Sequence, residues 1–86
     1  NHSCDANTGV RDNAFGAYDF VALKEIAAGE EITFDYETTE FGPLVFDTRC
    51  RCGANACRGQ LLGFRYRAAE IRARYGEAIA GYLKRW

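Results

Sequence analysis

The 86-residue chain has no uncharged run approaching the ~20 apolar residues of a membrane span, which excludes a transmembrane helix. No basic-then-apolar leader opens it, so the expectation is an intracellular protein, although residues 1–86 are also compatible with a processed or trimmed product. It holds one histidine and one serine, and these are neighbours, His2-Ser3. Adjacent side chains do not form a nucleophile–base pair by themselves, which disfavours hydrolytic catalysis. Proline occurs once, at Pro43, and no internal repeat or low-complexity segment is visible. The length leaves no room for barrels or doubly wound sheets. A domain this small buries only roughly 60% of its unfolded surface, so its core is marginal without a staple.

What is present is ordinary for a globular domain: 48% apolar and 27% charged residues. The net charge of −1 conceals an asymmetry. Residues 1–48 carry ten acidic and two basic side chains, residues 49–86 two acidic and nine basic. Such polarity fits a basic arm for nucleic acid, an acidic face for a cationic partner, or two halves that neutralise each other. The arginines are spread rather than blocked, which favours the last reading. Arg49, Arg51, Arg58, Arg65 and Arg67 are the candidate phosphate-binding set. No base-reading motif accompanies them, so nucleic acid is not expected as a direct ligand.

Asn1 to Asn13 is polar and reads as loop. Ala17 to Lys24 reads as a strand with Phe20, Val21 and Leu23 buried, and Ala27-Ala28-Gly29 as a turn. Glu31 to Tyr36 alternates as a half-buried strand does, and Glu37 to Asp47 is a connector. Phe64, Ala68, Ile71, Tyr75, Ile79, Leu83 and Trp86 recur at three- or four-residue spacing, the period of one helix face. Gly76 interrupts that pattern and predicts a kink or two shorter helices. The aromatic stripe Tyr75, Tyr82 and Trp86 is expected to pack in the core.

The four cysteines are Cys4 and the trio Cys50, Cys52 and Cys57, spaced C-x-C-x4-C. Four thiols match a tetrahedral zinc ion with Zn–S distances of ~2.3 Å, and a site filled by four protein ligands is structural rather than catalytic. In so small a domain the metal's binding energy becomes folding energy. The alternative is two disulfides. A one-residue gap strains a Cys50–Cys52 pair, and nothing indicates secretion, so zinc is favoured.

Three segments together resemble the second half of a SET-domain protein lysine methyltransferase with its post-SET zinc motif. Asn1-His2-Ser3-Cys4-Asp5-Ala6-Asn7 resembles the family's N-H-S-C-D-P-N, with Ala6 in place of proline. Ile26 to Tyr36, reading IAAGEEITFDY, resembles its I-x-x-G-E-E-L-T-F-D-Y segment, and Cys50, Cys52 and Cys57 fit the post-SET C-x-C-x4-C. The resemblance implies a mostly β fold of the SET type (a partial β-clip), with a zinc knuckle and a C-terminal helix or helix pair. Residues 1–48 would be SET, 49–63 post-SET and 64–86 a helical extension.

The implied function is transfer of a methyl group from S-adenosylmethionine to a lysine on a protein such as a histone-like tail. Asn1 and His2 would hold the methyl donor, the Asn1 amide near its amino acid end and the His2 backbone near its adenine. Tyr36 would be the catalytic tyrosine. Phe34 and Tyr36 would line the lysine channel, and phenylalanine at the former position implies di- or trimethylation. Phe64 resembles an apolar residue that closes over the cofactor, while its own spacing reads equally as core. Tyr36 by itself is also compatible with a plain half-buried strand residue. No G-x-G occurs, and the resemblance implies that the glycine-containing front half of the domain lies outside residues 1–86. That leaves a second expectation, a zinc-stabilised interaction module without turnover.

Overall fold

The computed structural model describes residues 1–42 and 49–86. Pro43 to Asp47, the second part of the predicted connector, lie outside the described residues. The chain order is strand β1 (Thr8–Asp12), strand β2 (Tyr18–Ala22), a 3-10 turn (Tyr36–Thr38), helix α1 (Phe64–Tyr75) and helix α2 (Gly81–Lys84).

The strands form an antiparallel hairpin in which Thr8 faces Ala22, Val10 faces Phe20 and Asp12 faces Tyr18. Its turn is built by Asn13, whose Oδ1 accepts the Phe15 and Ala17 N–H groups at 2.9 and 3.1 Å. A short polar side chain that binds its own backbone in this way favours a turn over a continued strand. β1 thus occupies part of the stretch expected to be loop. Its Gly9 weakens the strand pattern in sequence, yet the absence of a side chain lets the backbone lie against Ala78.

β2 falls inside the predicted Ala17–Lys24 strand, but its expected burial is corrected. Phe20 is 57% and Leu23 40% exposed, and Val21 is half-buried. The connection between the two helices packs on β1, whose Val10 N–H reaches the Ala78 carbonyl at 3.2 Å, and among the described residues no layer covers the outer face of β2. The strand expected at Glu31–Tyr36 is also corrected. Phe34 makes isolated parallel bridges to both His2 and Thr8, so the segment is gripped at one point by two others instead of joining a ladder.

The tail follows its periodicity. Phe64, Ile71, Tyr75, Ile79 and Leu83 are buried with Ala6 and Ala80, and Phe41 and Ala68 pack against them. α1 kinks at Arg67 and ends at Gly76, whose φ of 57° suits glycine and whose N–H closes on the Arg72 carbonyl at 2.9 Å. The chain then turns into α2, where Asp12 accepts the Gly81 N–H at 3.0 Å and ties the helix to the hairpin. The aromatic stripe is only partly core: Tyr75 is buried, whereas Tyr82 and Trp86 are 45% and 57% exposed. Tyr82 lies within α2 and Trp86 just past it, where Trp86 covers Phe41 and Phe64 edge-on at ring distances of 5.3 and 6.0 Å. Among the described residues the β content is one hairpin and three isolated bridges, and both α-helices lie in the tail, as the expected architecture has it.

Candidate metal centre and active site

The knuckle is closed by its own backbone. Cys50 N–H donates to the Gly59 carbonyl at 2.8 Å and Cys57 N–H to the Ala54 carbonyl at 3.0 Å, folding residues 50–59 into a loop with its sulfurs inward. Cys4 arrives from the other end of the sequence, and all four sulfurs lie within 4.8 Å of one another. The Cys4 and Cys50 sulfurs are 3.6 Å apart. A tetrahedron with Zn–S bonds of ~2.3 Å spaces its sulfurs by about 3.8 Å, so donor set and spacing fit zinc. No disulfide forms, and all four thiols are free. Burial pushes the Cys50 thiol up to about 12, helped by its sulfur neighbours. At Cys52 burial also pushes upward, but backbone N–H groups of Cys4 and Ala54 and the thiols of Cys50 and Cys57 outweigh it and bring the group down to about 6. A cluster with one readily ionised thiol is prepared for a cation.

The first and second sequence motifs cross beside this cluster. Ser3 N–H donates to the Phe34 carbonyl at 3.2 Å, and Phe34 N–H donates to the Asn1 carbonyl at 3.1 Å. The Asn7 side chain locks the crossing: its Oδ1 accepts the Thr33 N–H at 2.9 Å and its Nδ2 donates to the Glu31 carbonyl at 2.8 Å. Asn7 is 5% exposed, so these bonds satisfy polar groups that water cannot reach.

His2 sits between the cluster and Tyr36. Tyr36 N–H donates to His2 Nδ1 at 3.0 Å, so Nδ1 is an acceptor and the ring proton resides on Nε2, which faces Cys4 Sγ at 3.4 Å. Burial lowers the His2 pKa, against the pull of the Asp35 carboxylate, and keeps the imidazole neutral. The Tyr36 ring lies 5.1 Å from His2 and 4.9 Å from Phe34. Asn1, His2 and Tyr36 share a concave surface of about 280 Å³ with Leu61, Cys50, Cys52, Arg49 and Arg51. The Asn1 amide donates to the Glu31 carboxylate. Phe34 is half-buried between Tyr36 and Phe20. Of the two places open to Phe64, core and lid, the structure has it in the core, fully buried.

The sequence did not reveal an ion-pair network beneath Tyr36. Asp35 and Glu37 are fully buried, Arg58 is 10% exposed and Arg67 17% exposed at their side chains. Arg58 bridges both carboxylates, with 2.6 Å to Asp35 Oδ2 and 3.0 Å to Glu37 Oε1. Arg67 donates to Glu37 Oε1 at 3.2 Å, and Tyr75 Oη donates to Asp35 Oδ2 at 2.9 Å. The remaining acceptor sites are filled by backbone. Asp35 Oδ1 caps the 3-10 turn through the Glu37 N–H at 3.0 Å, and Glu37 Oε2 accepts Leu62 and Gly63 N–H at 2.7 and 2.8 Å. The two buried carboxylates balance the two guanidiniums, and the exposed Glu70 lies 3.7 Å from Arg58 at the edge of the network. The two halves of the chain thus neutralise each other at its centre, and Arg58 and Arg67 are withdrawn from any phosphate-binding set. The opposite signs of Asp35-Tyr36-Glu37 and Cys57-Arg58 were the available signal.

Comparison with known proteins agrees with the first two motifs. Residues 1–37 match the SET domain family. The chain is 36% identical over 69 residues to histone-lysine N-methyltransferase met-2 of Caenorhabditis elegans, covering 72% of this chain and 5% of that protein. It is 39% identical over 80 residues to histone-lysine N-methyltransferase SUV39H2 of Mus musculus, covering 71% of this chain and 17% of that one. It is 41% identical over 66 residues to histone-lysine N-methyltransferase Set2 of Drosophila melanogaster, covering 73% and 3%. No solved structure gives a significant match. Residues 1–37 therefore match the SET domain, and the chain resembles a stretch of the histone-lysine methyltransferases named above. It spans between 3 and 17% of the length of these three relatives. Among the described residues no helix is long and apolar enough to cross a membrane.

Proposed function

We propose that this chain supplies the tyrosine-bearing part of an S-adenosylmethionine-dependent protein lysine N-methyltransferase, stapled by one structural zinc ion on Cys4, Cys50, Cys52 and Cys57. The observation that carries the reading is the crossing of residues 1–3 with Phe34, which puts Asn1, His2 and Tyr36 on one concave surface. The methyl donor is a sulfonium cation that supplies the methyl group. Around it Asn1 offers an amide, His2 a backbone polar group and Tyr36 an aromatic face, and such faces and oxygen dipoles suit a cation. The lysine nitrogen must be neutral to attack, against a reference pKa of ~10.4, and an apolar channel favours that form. Phe34 and Tyr36 form that apolar wall. The Tyr36 hydroxyl orients the amine along the transfer line, so catalysis here is alignment and exclusion of water. Phe34 lacks the hydroxyl that would fill the channel end, which leaves room for an amine already methylated and supports di- or trimethylation.

The substrate is a lysine-bearing protein, with a basic, histone-like tail favoured by the acidic surplus of residues 1–48, in an intracellular and chromatin-associated setting. Replacement of Tyr36 by phenylalanine tests the reading, assayed with labelled methyl donor and histone peptides, alone and together with the front segment of a SET domain. Transfer should fall by about 10²-fold or more while bound zinc and the melting temperature stay unchanged. Transfer by Y36F at the wild-type rate, or none by the wild type in either setting, refutes it. A chain that binds zinc but neither donor nor lysine peptide is instead a zinc-stapled interaction module.

A further inference from the structure

Arg58 belongs to the cysteine knuckle by position, immediately after Cys57, but its guanidinium leaves the knuckle and enters the network beneath Tyr36. Its backbone N–H donates to Cys4 Sγ at 3.4 Å, so the same residue touches the metal ligands at one end and Asp35 at the other. Asp35 in turn caps the turn that begins at Tyr36. Among the described residues a second polar link between cluster and turn is His2, whose Nδ1 accepts the Tyr36 N–H and lies 3.8 Å from Asp35 Oδ1.

We propose that Arg58 is a positioning residue for the methyl-transfer site: reaching out of the cysteine knuckle, it fixes the Asp35 carboxylate and, through it, the turn that presents Tyr36. The assignment rests on the methyltransferase reading above and adds to it the residue that carries the knuckle's fold to the tyrosine. The fork geometry matters. One planar guanidinium meets Asp35 through one terminal nitrogen and Glu37 through the other, an arrangement that a lysine ammonium, a single point charge, does not reproduce. Arg67 is the natural comparison, because it meets Glu37 without touching Asp35.

The test uses the zinc-loaded chain with ring-labelled tyrosine, in which the Tyr36 signal is assigned by its disappearance in Y36F. In R58K we expect one zinc per chain, as in the wild type, with the Tyr36 ring signal moved by several linewidths. R67K should leave that signal in place. Where methyl transfer is measured alongside, R58K should lower kcat by about 10²-fold, the effect of a small misplacement of a reacting group, with KM for the lysine peptide changed much less. If R58K does not hold zinc, the pair D35N/R58M, which removes both charges together, takes its place. Zinc-loaded D35N/R58M with a displaced Tyr36 signal supports the proposal. An unmoved signal in a zinc-loaded variant overturns it, as does loss of zinc by both variants, which would make Arg58 a residue of the metal site alone. Because the ring signal needs no turnover, a wild type that transfers no methyl group yet shows the displacement refutes the methyltransferase reading and leaves the positioning role standing.

Discussion

Replacing Cys4 by serine removes the one sulfur that reaches the cluster from outside residues 50–57. Cys4 and Cys50 are 46 positions apart, and an ion that grips both closes that loop. Closing a flexible loop of this length costs about 3 kcal/mol of chain entropy, which the metal supplies in the folded state by holding both ends. A domain of this size has a total stability of about 4–13 kcal/mol, so losing the closure removes a large share of it. At 4–8 °C per kcal/mol the melting temperature should drop by about 12–24 °C. Serine also fails as a substitute acceptor, since the Cys4 sulfur faces the Arg58 N–H and His2 Nε2 at 3.4 Å each and an oxygen is shorter in reach. The assay pairs a zinc competition titration against a chromophoric chelator with thermal melts followed by circular dichroism. The remaining trio binds zinc with a fourth position open, so affinity falls even where excess zinc fills the site. Wild-type chain stripped of metal should melt close to C4S. Unchanged zinc affinity together with an unchanged melting temperature refutes the four-sulfur site, and with it the reason why Asn1 lies beside Tyr36.

Two further substitutions probe the supports of the site. Tyr75→Phe removes a 2.9 Å hydrogen bond to the buried Asp35 carboxylate and should cost about 1.5–3 kcal/mol in urea unfolding. Burial first, then the Asp35 charge, raises the Tyr75 pKa, so the folded state keeps a proton that the unfolded phenol loses near pH ~10. Stability should therefore decline as pH rises beyond that value, and more steeply in the wild type than in Y75F; equal slopes would contradict the assignment. Gly63 stands at φ 107°, and a Cβ there would lie 2.7 Å from the Phe41 carbonyl carbon, so Gly63→Ala should cost about 1–3 kcal/mol from backbone strain plus the displacement of that contact. Gly53, at φ 79° with open space around it, is the control, and equal losses in urea for G63A and G53A would show that the crossing at residues 41 and 63 is not tight.

How much of this was legible depended on whether the deciding interaction is local. The helical tail and its break at Gly76 follow from a periodic apolar face and one residue suited to φ 57°, both readable within a short window. The sulfur cluster was legible because cysteine has few uses and the spacing limits them. β1 was not, since Thr8-Gly9-Val10 gains its strand character from pairing with Val21 and from contact with Ala78, a residue remote in sequence. The exposure of Phe20 and Leu23 was hidden for the converse reason: apolar residues in a strand are read as buried, and only the arrangement of layers shows which face has a cover. Asp35 was read as a polar position of a strand and Glu37 as the start of a connector, because pattern rules send charge to solvent. Their burial depends on Arg58 and Arg67, 23 and 30 positions away, and no local window contains both partners.

That buried network explains why the site is specific rather than merely stable. Desolvating two carboxylates and two guanidiniums gains little net energy over well-packed apolar residues, and removing one partner alone leaves a buried charge at a cost of about 3–5 kcal/mol. An apolar core beneath Tyr36 would tolerate several orientations of the turn. Directional bonds from Arg58 and Tyr75 to one carboxylate oxygen, and from the turn's own N–H to the other, tolerate one. Among the described residues the knuckle therefore reaches residues 35–37 at separate attachment points, through Cys4–His2–Tyr36 at the backbone and through Arg58 at the Asp35 and Glu37 side chains. Two attachment points fix orientation where a single one would permit rotation. If Tyr36 serves methyl transfer as proposed, the sensitivity of an in-line displacement to orientation gives a physical reason for the knuckle to contact this turn through hydrogen bonds instead of apolar packing.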